Sequence, residues 1–150
     1  QNQIENFDIY GMIYSGYTIL DSRGICPEGW HVPTDDEWKE LERYLGMSTY
    51  DSNLAGWRGS DEGNKLKESG TLHWVYDSGA TNDFGFTALG SGNRSAEGNF
   101  INFGDETYFW SSTSIGNTDL FYRLLKSDTA QIHRTSLGYD KGHCVRCIQD

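Results

Sequence analysis

Residues 24–46 read GICPEGWHVPTDDEWKELERYLG. A cysteine and a Pro-Glu-Gly turn stand directly in front of a strongly signalled helix start. Thr34-Asp35-Asp36-Glu37 forms a capping box: the Thr34 hydroxyl is placed to accept the Glu37 N–H, and the Glu37 carboxylate to accept the Thr34 N–H. Asp35, Asp36 and Glu37 lie at the positive end of the helix dipole. Pro33 sits just outside the cap, where it can staple onto Trp38. Trp38, Leu41 and Leu45 recur at helical spacing with Tyr44 beside them, while Lys39, Glu40 and Arg43 take the wet side. Gly46 supplies the stop. The spacing predicts a helix over 35–45, and its first three carboxylates are read as capping groups, not as an acid–base cluster.

The 150 residues suit one domain, 1–150, around one core. Five Trp, nine Tyr and seven Phe supply much apolar area, and 18 Gly against 2 Pro point to tight turns and loops. A formal net charge of −10 argues against a nucleic-acid partner, which needs a basic stripe. It argues equally against anionic membrane surfaces. Its plain reading is solubility; a cation site is the sharper one. No run approaches the ~20 apolar residues of a membrane span. The opening QNQIENFD has neither the charged nor the apolar region of an export signal. A processed exported protein and a cytosolic one both stay open on that ground.

Beyond the first helix the signals shorten. Residues 10–20 read as one or two strands, and 61–67 as a short helix with Leu66 inward. The runs 86–89, 99–103, 108–112, 120–126, 130–134 and 143–148 read as strands, separated by turns such as GSGN, FGDE and GYDKG. The fold class expected is α+β: two short-to-medium helices, then a loop-rich, mainly antiparallel sheet. Strand alternation puts Phe121, Arg123 and Leu125 on one face and Tyr122, Leu124 and Lys126 on the other, so one set is expected to be exposed.

Three cysteines remain: Cys26, Cys144 and Cys147. A Cys26–Cys147 bridge would close a loop of about 120 residues and tie the domain's ends together, worth roughly 4–5 kcal/mol in the loop-entropy picture. Cys144 and Cys147 form C-x-x-C, but within a strand-like run that puts them on opposite faces. Zinc would need two more ligands, and the four His show no paired spacing. A bridge, three free thiols, and redox or metal use of the C-x-x-C pair are the alternatives.

The ordered series Gly24-Ile-Cys-Pro-Glu-Gly-Trp-His-Val-Pro-Thr-x-x-Glu-Trp38, Gly63-x-Lys-Leu-Lys67, Gly85-Phe-Thr-Ala-Leu89, Phe109-Trp-Ser-Ser-Thr113, Tyr122-Arg123 and Val145-Arg-Cys147 resembles the Fibrobacter succinogenes major paralogous domain, from about residue 10 onward. That family is similar in plan to C-type-lectin-like domains and to the formylglycine-generating sulfatase-modifying group. The resemblance implies an exported or surface-anchored protein of a gut-type bacterium, often a lipoprotein or pilus-associated. Its usual cysteine pair falls on Cys26 and Cys147, which implies a disulfide and an oxidising compartment; Cys144 stands where the pattern usually has Ser. The family's opening Trp-Met-x-x-Asn-Leu-like segment is not found before Tyr10, which leaves a truncated or replaced edge strand.

On that plan the opening stretch is scaffold, with Trp30 and Trp38 over the joint between helix and sheet, and binding belongs to loops at 81–84, 94–102 and 114–140. The candidate ligand-binding residues are Asn117, Asp119, Phe121, Tyr122, Arg123, His133, Arg134, Tyr139 and Asp140, since aromatic faces beside amides and charges suit sugar or protein contacts. Asn82, Asp83, Asp105 and Glu106 are oxygen-rich turn residues and the candidate metal ligands; calcium is an optional ligand, and no cofactor is required. The Glu-Pro-Asn and Trp-Asn-Asp motifs of familiar C-type lectins are absent. The function expected is a non-enzymatic, secreted or outer-membrane-anchored module that binds a glycan or surface protein, with no nucleic-acid partner, no membrane insertion by this domain, and any lipid anchor outside it. The rivals are a structural or assembly module of a surface lipoprotein or pilus tip, and a thiol oxidoreductase of the formylglycine-generating type using Cys144 and Cys147.

Overall fold

A computed structural model describes residues 8–150. In chain order the elements are β1 (Tyr14–Ser15), α1 (Gly16–Ile19), β2 (Trp30–His31), α2 (Asp35–Tyr44), α3 (Thr49–Asn53), β3 (Gly56–Arg58), α4 (Glu62–Leu66), β4 (Asn93–Arg94), β5 (Phe100–Ile101), β6 (Glu106–Ile115), β7 (Asp119–Lys126), β8 (Ile132–Gly138), β9 (Gly142–His143) and β10 (Ile148–Gln149). The fold is α+β. Its main sheet runs β3-β8-β7-β6, a smaller one β1-β9-β4-β5, and β10 pairs with β2; the strand pairs are antiparallel.

The capping box forms as read. Glu37 N–H donates to Thr34 Oγ1, and Thr34 N–H to Glu37 Oε2 at 2.8 Å. The helix start is tied to β6 as well: Asp35 N–H donates to Thr113 Oγ1 at 2.9 Å, and Ser112 N–H to the Pro33 carbonyl at 2.8 Å. Cys26 and Cys147 are bridged, with Cα atoms 5.8 Å apart across a separation of 121 residues. His31 adds a polar tie between the Asp150 and Glu37 carboxylates. Trp38 is buried in the joint, but Trp30 is 45% exposed: among the described residues its strand pairs only with β10, in a two-stranded sheet.

The main sheet is covered on both sides. On one, Trp38 of α2 and Leu45 just past its end pack with Met47, Leu66, Phe109, Leu125 and Ile132. On the other, Tyr108, Trp110, Leu120, Tyr122 and Leu124 pack with Ile19, Val32, Tyr14 and Cys26. The expected exposed face of β7 therefore does not exist in its centre. The N-terminal segment and the disulfide arm cover it, and Trp110 Nε1–H donates to the Tyr14 carbonyl at 2.8 Å.

Other differences are local. Residues 10–20 hold one two-residue strand and then α1, whose Gly16 packs so closely on Tyr139 that a Cβ would lie 2.7 Å from that residue's Cα. Residues 86–89 make only a bridge between Ala88 and Lys67. Residues 143–148 do not run as one strand: His143 ends β9 and Ile148 starts β10, in different sheets. α3 was not foreseen. Ser48 starts it by accepting the Asp51 N–H, a cap with too short a following run to carry helical periodicity. The expectation of a truncated or replaced edge strand falls on residues before Tyr10, of which 1–7 lie outside the described residues.

Candidate functional site

The late-strand candidates separate into interior and surface groups. Arg123 is buried. Its Nε donates to Glu42 and its Nη1 to Asp35 at 2.8 Å. Arg134 donates twice to Asp35, at 2.8 and 2.6 Å, with its guanidinium over the Phe121 ring. Arg58 completes the cluster with two bonds to Glu42. Burial alone would raise the Asp35 carboxyl; the Arg134 and Arg123 guanidiniums override it and hold Asp35 well below the usual range. Tyr122 is buried against Tyr108 and His143. These residues bind the domain to itself. Asn117 and Asp140 are exposed, Asp119, Phe121 and Tyr139 half-buried, and His133 half-buried under Trp57. The structure brings Arg123, Arg134 and Phe121 together, and sets Tyr139 against Tyr17 instead.

The metal candidates are occupied with turn geometry. The Asn82 amide exchanges two hydrogen bonds with Thr87. Asp83 is exposed. Asp105 accepts from the Ser127 hydroxyl, and Glu106 from Asn102 and from the Tyr108 hydroxyl. Among the described residues no group of three or more His, Cys, Asp or Glu side chains is placed to hold a metal ion.

Three reactive side chains are interior. Cys144 is a buried free thiol hydrogen-bonded to Ser91 at 3.1 Å, and burial pushes its pKa up. His143 lies flat on Tyr108 and beside Trp110, with both ring nitrogens buried and unpartnered; burial pushes it down to about 3. Lys67, pushed down to about 8 by burial, donates to Ser78 Oγ and to the Lys126 and Thr129 carbonyls. Its three N–H donors are all used, which makes it a tie between loops.

A concave surface lies elsewhere. An open, shallow groove is lined by Tyr10, Thr71, Leu72, His73, Trp74, Val75, Phe103 and Gly104. Its backbone is pinned from beneath: Val75 N–H donates to the Gly104 carbonyl at 2.8 Å, Gly104 N–H to Gly90 at 2.7 Å, and Trp74 Nε1–H to Ala88 at 3.0 Å. Gly104 has φ +78°, and a Cβ there would press on Val75 Cγ1 at 3.0 Å. The Tyr10 ring meets Phe103 at 4.8 Å and stands edge-on to His73 at 5.4 Å. His73 is oriented by Glu68, whose oxygens lie 2.8 and 2.9 Å from Nδ1. Burial, then the Glu68 charge, pushes the Tyr10 phenol up. Around this ordered frame Leu72 is 79%, Val75 68% and Phe103 46% exposed. Sequence reasoning missed these residues. The available signal was the run LHWVY at 72–76, apolar and enclosed by two Ser-Gly turns, yet too short for a strand or helix period.

The family model of the Fibrobacter succinogenes major domain matches residues 1–149. The chain belongs to that family. The Cys26–Cys147 bridge, the capped α2 and the Phe109–Thr113 strand are thus seen in place in a member of the Fibrobacter succinogenes major domain family. No curated protein and no solved structure matches the chain.

Proposed function

We propose that this domain is a non-enzymatic binding module of C-type-lectin-like plan, secreted or held at the cell surface, that takes a protein ligand in the groove between residues 71–75 and 103–104. The observation that carries the reading is the pairing of a hydrogen-bonded frame with bare apolar side chains: Leu72, Val75 and Phe103 remain in water, while the Val75 N–H and the neighbouring Gly104 N–H are tied to the body of the domain. Contiguous exposed apolar surface on an ordered frame marks an interaction site. Aliphatic branches at Leu72 and Val75 favour protein side chains over the hydroxyl-rich faces of a glycan, which want polar partners. The disulfide supports export. Burial of Cys144 and its bond to Ser91 support a role without thiol chemistry. No helix among the described residues is long and apolar enough to cross a membrane.

The test is selection of a random peptide-display library, with a glycan array in parallel, on the oxidised domain and on a Leu72→Ser/Val75→Ser variant. Peptide binders that the variant loses are expected. Binders indifferent to the variant, glycan binding alone, or no binder on either platform would sink the reading.

A further inference from the structure

The chain that brings Phe103 to the groove comes from a strand with an open side. β5 is the last strand of its sheet and pairs with β4 alone, Asn93 opposite Ile101 and Arg94 opposite Phe100. The same register sets Ser95 opposite Asn99, and there the Ser95 N–H donates to the Asn99 carbonyl at 2.8 Å. Antiparallel pairs alternate between bonded and non-bonded. Asn93 and Ile101 therefore share the next bonds, while Arg94 and Phe100 point their backbone groups apart. Arg94 faces Gly142 of β9 on its far side. The Phe100 N–H and carbonyl face the other way, and among the described residues no backbone group takes them. The side chains of Phe100 and Ile101 are exposed as well. Natural edge strands are commonly blunted by Lys, Pro or a bulge. Residues 99–103 read Asn-Phe-Ile-Asn-Phe, without charge or proline. An N–H and a carbonyl on the same open side of one extended residue form the pattern that another strand completes.

Resting on the binding-module reading, we infer that the ligand is an extended peptide segment that adds a strand to the open edge of β5. One of its residues exchanges an N–H and a carbonyl with Phe100, and its apolar side chains run on to Phe103, Val75 and Leu72. Phe103 follows Phe100 by about 10 Å of extended chain at most, so a peptide of about four to seven residues at roughly 3.3 Å each spans both. The backbone pair selects an extended chain whatever its side chains, and the groove selects apolar ones at alternate positions. A second copy of the domain would offer a matching edge, but its approach sets two chains of net charge −10 against each other.

Fluorescence anisotropy on the oxidised domain tests this with the labelled heptapeptide Thr-Val-Thr-Phe-Thr-Val-Thr and two N-methylated versions. One carries methyl groups on the Val and Phe amides, the other on the inner Thr amides. An extended chain points alternate N–H groups to opposite sides. One version is therefore expected to bind like the parent, and the other about tenfold or more weaker. Phe100→Pro removes the open N–H and leaves the β4 ladder intact. It is expected to weaken the parent peptide about tenfold or more beyond Phe100→Ala, which keeps that donor. Leu72→Ser/Val75→Ser is expected to weaken the peptide too. Equal binding of all three peptides, or Phe100→Pro no worse than Phe100→Ala, overturns the inference; loss in the double variant then leaves the binding-module reading standing. Equal loss of both methylated versions overturns it, as does binding that the double variant leaves unchanged, or no binding by the parent peptide. Sedimentation of the free domain as a dimer that Phe100→Pro dissociates would overturn it in favour of a second copy. The display selection decides the broader reading separately.

Discussion

Arg123 and Arg134 read as surface contacts because a strand residue's exposure depends on what covers it, and what covers it is remote. Their partners Glu42 and Asp35 lie 81 to 99 residues away. The Thr34–Glu37 cap was legible because both partners fall within one turn. Removing one member of the buried cluster leaves charges stranded, so Glu42→Ala is expected to cost on the order of 3–5 kcal/mol in urea unfolding, with Arg58 and Arg123 losing their shared carboxylate. His143 sets a pH dependence of definite sign. Its folded pKa is depressed to about 3 by burial, against about 6.5 in an unfolded chain. Its contribution is therefore complete above pH 6.5 and is lost as pH falls from 6.5 toward 3, with a slope of up to about 1.4 kcal/mol per pH unit. The urea midpoint of the wild type should fall between pH 7 and 5 relative to that of His143→Phe; parallel profiles would contradict this.

Among the elements, α2 followed from its pattern, and α4 appeared one residue shorter at each end than expected. The failures are at segments whose form is set from outside. β7 alternates as read, yet both its faces are covered, since a second layer is built from β1, α1 and the disulfide arm. The 143–148 run is divided between two sheets because the chain must leave β9 to reach the edge beside β2. α4 shows how tightly these elements meet. Gly63 sits in it with ordinary helical backbone, but a Cβ would lie 2.4 Å from the Gln131 carbonyl oxygen and 2.7 Å from that of Ala130. Gly63→Ala should therefore destabilise by about 1–3 kcal/mol, although alanine is the better helix former by about 1 kcal/mol. A stabilised variant in thermal unfolding would show that the 130–131 segment ahead of β8 can move away.

At the scale of the molecule, one covalent link joins the segment before α2 to Cys147, directly ahead of the last strand. Cys26→Ser/Cys147→Ser is expected to cost about 2–5 kcal/mol in chemical unfolding, and a thiol count on the unreduced, unfolded chain should find Cys144 alone. The family, and through that resemblance this bridge, could be read from the residues; the groove could not, because its walls come from three separated segments, none of which has a periodic signature. The most direct measurement is hydrogen exchange of the oxidised domain with and without a peptide taken from display selection. Protection is expected at 71–76 and 100–104, over the groove. Protection confined to 114–118 and 138–141, at the loops beyond β6 and β8, would contradict it.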